Sequence, residues 1–187
     1  MRIISGTWRN RKIIVPRGRL IRPTADRARE TLFDILENSK LYSDWPLKNA
    51  TILDIFAGTG ALGIEALSRG AALAIFIDHD SQSIATVRAN IETLGARAQS
   101  IVLQCDATHP VAARAAASVV FLDPPYNSQL PKNTLSAFSN TKWVEQGALI
   151  VLETKWTEFV TLPEHFSLIE ERVCGNTKFW FYVYKTT

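Results

Sequence analysis

The chain has 187 residues, 47% of them hydrophobic and 21% charged, which fits one globular domain, alone or with a small appendage. This balance excludes disordered, collagen-like and fibrous classes. The net charge of +3 is uneven: residues 1–30 hold nine Arg and Lys against Asp26 and Glu30, a net +7 that leaves −4 for the rest.

The opening Met1-Arg2-Ile3-Ile4-Ser5-Gly6 lacks a basic-then-apolar leader, so a cytoplasmic location is expected. Cys105 and Cys174 make no disulfide framework, and no apolar run approaches the roughly 18 residues that span a bilayer. Apolar residues (Ile3, Ile4, Trp8, Ile13 to Val15) interleave the basic ones, and Ser5-Gly6 and Pro16-Arg17-Gly18 punctuate them. The pattern predicts a small β-hairpin extension over residues 1–22, with Arg2, Arg9, Arg11, Lys12 and Arg22 available to a polyanion. A helix follows over 25–37, with Thr24 as its N-cap. Residues 38–48 read as a loop.

From Ala50 apolar strands alternate with helices. Strands are expected at 51–56, 73–77, 100–104, 118–122 and 148–152, and helices at 61–68, 81–94, 111–116 and 130–144. Residues 166–173 and 178–184 leave no room for a helix between them, so they form an antiparallel hairpin turning at Gly175-Asn176. The fold class is therefore α/β: a mostly parallel sheet covered on both faces, with an antiparallel C-terminal edge, over residues 23–187. In such sheets ligands sit beyond the carboxyl ends of the strands. Asp54, Asp78, Asp106 and Asp123 all lie near such ends.

Gly58-Thr59-Gly60-Ala61-Leu62-Gly63 followed by Asp78 matches a nucleotide-binding turn with a ribose-binding acid. Asp54, just before the glycines, would repel a pyrophosphate but suits a ligand carrying an amine and a sulfonium. S-adenosylmethionine carries both. Asp106 can accept from an adenine amino group or cap a following turn. Asp123-Pro124-Pro125-Tyr126 offers what an exocyclic base amine needs: a carboxylate and a stiffly held Pro124 carbonyl as acceptors, and Tyr126 to stack on the base. No phosphate loop, nucleophile elbow or zinc-ligand spacing occurs, so no metal is expected.

The stretch Asp54 to Gly70, together with Asp123-Pro124-Pro125-Tyr126, resembles class I S-adenosylmethionine-dependent methyltransferases acting on base amino groups. Residues 1–12 and 22–33 are similar to the bacterial small-subunit ribosomal RNA guanine-N2 methyltransferase family. The resemblance implies a Rossmann-like seven-stranded fold, a guanine of 16S rRNA as target, and the small ribosomal subunit or a late assembly intermediate as partner. It implies that Asp54, Phe56, Gly58 and Gly60 line the methionine and sulfonium side, Asp78 the ribose and Asp106 the adenine. Asp123 and Tyr126 would hold the guanine, and Arg22, Thr24 and Arg29 would lie beside cofactor and RNA. A monomer is expected. The competing readings are a DNA or RNA adenine-N6 methyltransferase, a nucleotide-dependent oxidoreductase and a non-catalytic RNA-binding assembly factor.

Overall fold

The computed structural model describes residues 1–16, 23–125 and 129–185. In chain order the elements are α1 (Pro23–Asn38), β1 (Thr51–Ile55), α2 (Ala61–Ser68), β2 (Leu73–Asp78), α3 (Ser81–Leu94) and β3 (Ser100–Gln104). They continue with β4 (Ala117–Leu122), α4 (Leu130–Asn140), β5 (Val144–Lys155), β6 (Phe166–Cys174) and β7 (Thr177–Tyr184). The seven strands form one sheet in the order β3-β2-β1-β4-β5-β7-β6. The first five run parallel, while β7 is antiparallel to both β5 and β6. The strand order reverses between β1 and β4, so the crevice at their carboxyl ends is where this architecture places a ligand.

The parallel strands are apolar on both faces because helices cover both. Ile52, Phe76, Phe121 and Val151 pack towards α1, α2 and α3, with Phe33 of α1 against Phe121 at 5.6 Å between ring centroids. Leu53, Ile77, Val120, Leu122 and Ile150 pack the other way, against Leu135 and Phe138 of α4 and the indole of Trp143. Among the described residues no helix is long and apolar enough to cross a membrane.

The expected helix over 111–116 is not formed; that stretch is irregular. Its alanines favour a helix, but six residues barely exceed the nucleus, and no cap starts them. Instead the Val111 carbonyl accepts from the indole N–H of Trp143 at 2.8 Å. Helix α1 begins at Pro23, one residue before the expected cap, because proline suits a first turn that has no partner for its N–H. Thr24 therefore lies inside the helix rather than capping it, and its side chain falls outside the described residues.

The N-terminal hairpin, as far as the described residues go, is a ribbon with a single antiparallel bridge, Arg2 opposite Lys12. Across it the Ile3 N–H donates to the Arg11 carbonyl at 3.0 Å, the Asn10 N–H to the Ile3 carbonyl at 2.9 Å and the Ile13 N–H to the Met1 carbonyl at 3.2 Å, while the body takes other amides. Glu65 of α2 accepts from the N–H groups of Ile4 and Ser5 at 2.8 and 3.0 Å. Ser68 accepts from Trp8 N–H at 3.0 Å and donates to the Ser5 carbonyl at 2.6 Å. Asn90 of α3 accepts from Ile14 N–H at 2.7 Å and donates to the Ile14 carbonyl at 3.1 Å.

Candidate active site

Strand β1 ends in a strained turn. Phe56 adopts a φ of 62°, Gly58 57° and Gly60 78°, left-handed values that cost a residue with a Cβ and that glycine takes freely. The turn is pinned by the Gly58 N–H donating to Asp78 Oδ2 at 2.9 Å, and by Ala57 N–H donating to the Ile77 carbonyl at 3.0 Å. The third glycine answers a packing need. A Cβ on Gly63 would lie 2.4 Å from Cε1 of Phe76, so only glycine lets α2 sit this close to the sheet. That approach brings the Gly63 N–H to Asp54 Oδ2 at 2.9 Å.

Asp54 is 2% exposed. Burial pushes its carboxyl up to about 8, the Gly63 N–H opposes this, and the charges of Asp123 and Asp78 add to it. Strand β1 runs between β2 and β4, so Asp54 lies between Asp78 at the end of β2 and Asp123 just past β4. The two flanking acids therefore share one rim of the sheet, as the sequence pattern requires. Asp78 accepts from Gly58 through one oxygen and from Asp80 N–H at 2.9 Å through the other, so it fixes the turn at the end of β2. Asp80 in turn caps α3 by accepting from Ser83 N–H at 2.9 Å.

Asp106 follows β3, tied to β2 by Cys105 N–H donating to the Asp78 carbonyl at 3.1 Å. Its carboxylate accepts from the N–H and hydroxyl of Thr108, at 2.8 and 2.7 Å, and these bonds hold it below the usual carboxylate range. It thus caps a local turn, with no helix after it, while its side chain stays 63% exposed. Asp123 is exposed and Pro124 buried. The Asp123 N–H reaches the Ile55 carbonyl at 3.4 Å, which seats the Asp-Pro-Pro segment against the end of β1. Tyr126 and Arg22 lie outside the described residues.

The basic residues divide. Arg2, Arg9, Arg11 and Lys12 are exposed along the ribbon. Arg29 is not: it is 5% exposed, donates to the Arg2 carbonyl at 2.6 Å and lies 3.2 Å from Asp26 and 4.0 Å from Glu65. The expectation that Arg29 faces RNA is corrected, because its helix position turns it inward, where it ties α1 to the ribbon and α2. Desolvation works against its charge, and Asp26 and Glu65 offset that cost.

One acid at this rim escaped the sequence reading. Glu153 of β5 follows the pair Leu122–Leu152 in the β4–β5 register, so it stands beside Asp123. Its signal was present, since Leu149-Ile150-Val151-Leu152 is an apolar strand run closed by an acid, like the others. Among the described residues no group of three His, Cys, Asp or Glu side chains is gathered tightly enough to hold a metal ion.

A family model described as conserved hypothetical protein 95 matches residues 1–183. The chain is 36% identical over 191 residues to Ribosomal RNA small subunit methyltransferase D of Escherichia coli (strain K12), covering 97% of this chain and 89% of that protein. It is 32% identical over 186 residues to the protein of the same name from Haemophilus influenzae, covering 97% of this chain and 93% of the relative. The solved structure of yhhF from Escherichia coli matches with a TM-score of 0.82 at 35% identity, covering 100% of this chain and 99% of that one.

Proposed function

The chain belongs to the conserved hypothetical protein 95 family, together with the ribosomal RNA small subunit methyltransferase D proteins, and on that premise we propose that it transfers a methyl group from S-adenosylmethionine to the N2 amine of a guanine in 16S rRNA. One observation carries the reading: three strand-end acids, Asp78, Asp54 and Asp123, stand side by side around the glycine turn, and among the described residues no cation offsets the burial of the middle one. A carboxyl pushed up to about 8 by burial fits a ligand that brings its own cation. Asp54 would take the amine and sulfonium side, Asp78 the ribose, and Asp106 the adenine from across the β3 end.

S-adenosylmethionine, when bound, supplies an electrophilic methyl group on sulfur. The chain's own residues do the rest. The amine of guanine is a poor nucleophile because its lone pair is delocalised into the ring. Asp123 and the Pro124 carbonyl accept its two hydrogens and turn the lone pair towards the donor, which is chiefly a positioning effect. As the C–N bond forms and the C–S bond breaks, positive charge moves from sulfur to nitrogen. The Asp123 carboxylate stabilises that charge and accepts the surplus proton. The base must leave its stack to reach this rim, at a cost of a few kcal/mol unless it is already unpaired.

The test is mass spectrometry of 16S rRNA fragments after unmethylated small subunits are incubated with the protein and labelled donor. One methyl group on a guanine is expected; a label on adenine, or none, overturns the reading. Asp123→Ala is expected to abolish transfer while S-adenosylhomocysteine still binds, as titration calorimetry would show.

A further inference from the structure

With Asp123 at the target amine, guanine must be told from adenine by another group at the rim. Parallel pairing of Leu122 with Leu152 makes Asp123 and Glu153 the next residues at the ends of β4 and β5. Side chains alternate along a strand, so both lie on the face of Phe121 and Val151, which pack towards α1 to α3. Beside Glu153 is its β7 partner, Phe179, buried at 1% exposure. Among the described residues its hydrogen-bond partner is Thr177, whose Oγ1 donates to Oε1 at 3.5 Å. The group is half-buried. Burial and the adjacent Asp123 charge raise its proton affinity well above that of an ordinary glutamate.

We propose that Glu153 is the specificity residue of the site, pairing with the N1–H and O6 edge of the target guanine while Asp123 and Pro124 hold N2. The inference rests on the guanine-N2 reading and deepens it. In guanine the amine is followed along the base edge by a donor, N1–H, and then an acceptor, O6. A neutral carboxyl group matches both, its carbonyl accepting from N1–H and its hydroxyl donating to O6. In adenine the reactive N6 is flanked by N1 and N7, which are both acceptors. The Glu153 carbonyl then meets a lone pair, and a bond is lost. Burial beside Asp123 favours the neutral form that this pairing needs, because two adjacent carboxylates do not both ionise readily.

The experiment uses small subunits rebuilt with either guanine or 2-aminopurine at the modified position. 2-Aminopurine keeps the amine and lacks both N1–H and O6. The wild-type protein should prefer guanine by roughly a hundredfold or more in kcat/KM, since a site built around hydrogen bonds rejects an analogue without them. Glu153→Leu should bind S-adenosylhomocysteine normally and bring the two substrates within a few-fold of each other. Glu153→Gln carries an acceptor and a donor in the same places, and should keep most of the preference. Comparing ratios across variants cancels the intrinsic reactivity of the two bases. Preference retained in Glu153→Leu, or lost equally in Glu153→Gln, overturns the proposal while leaving guanine methylation standing. A wild-type protein that methylates neither base removes the guanine reading itself.

Discussion

Asp54, which we propose faces a charged ligand, costs the protein something without it. Its ordinary value is 3.8 and the fold pushes it up to about 8. The folded state therefore favours the neutral acid, and the sign follows. The ligand-free protein draws full stability from this group below pH 4 and loses it as pH rises through 8. Asp54→Asn should flatten that decline in urea melts taken between pH 4 and 8. Binding of S-adenosylmethionine at pH 7 should release about one proton, because a cation restores the carboxylate. Calorimetry in buffers of different ionisation enthalpy would show it, and proton-neutral binding would contradict the role. Asp54 was legible in the sequence because its distance from the glycines fixes its place. Arg29 was not, since charge within a helix does not reveal which face is covered. Glu153 was not either, because the expected fifth strand ended at Leu152, while β5 runs on to Lys155.

At the scale of elements, the acid that holds most together is Glu65, fully buried on α2. It accepts two ribbon amides and the Nε of Arg69 at 2.9 Å, with Arg29 close by. Glu65→Ala leaves two buried guanidinium groups and two amides short of partners. A loss of about 3–5 kcal/mol in chemical denaturation is expected, the range for breaking a buried ion pair. The periodicity of strands and helices was readable here, since each parallel strand is an apolar run bounded by turn residues. The ribbon's docking was not, because it depends on side chains of Glu65, Ser68 and Asn90, some 60 to 76 residues away. The stretch 111–116 misled for the opposite reason: local propensity favoured a helix, and the Trp143 indole offered its backbone another partner.

Over the whole molecule, the positive charge of the first 30 residues stands against a body of net −4. The exposed cations Arg2, Arg9, Arg11 and Lys12 sit on a ribbon held rigidly to α2 and α3. Rigid docking presents them to phosphates with little ordering left to do. The paired change Arg9→Ala with Lys12→Ala should weaken RNA binding and reduce the slope of log affinity against log salt by about 0.7–0.9 per cation removed. S-adenosylhomocysteine affinity should stay unchanged. Filter binding across a salt series checks the first and calorimetry the second.

The sheet order has a consequence for synthesis. Strand β7 lies between β5 and β6, which both precede it in the chain. A nascent polypeptide can assemble β1 to β5 as translation proceeds, yet the outer backbone of Leu149 to Lys155 stays unpaired until Thr177 to Val183 emerge. Until then the chain carries an open apolar edge of the kind that recruits stray strands. The mouth where Glu153 meets Thr177 is thus among the last parts of the protein to exist.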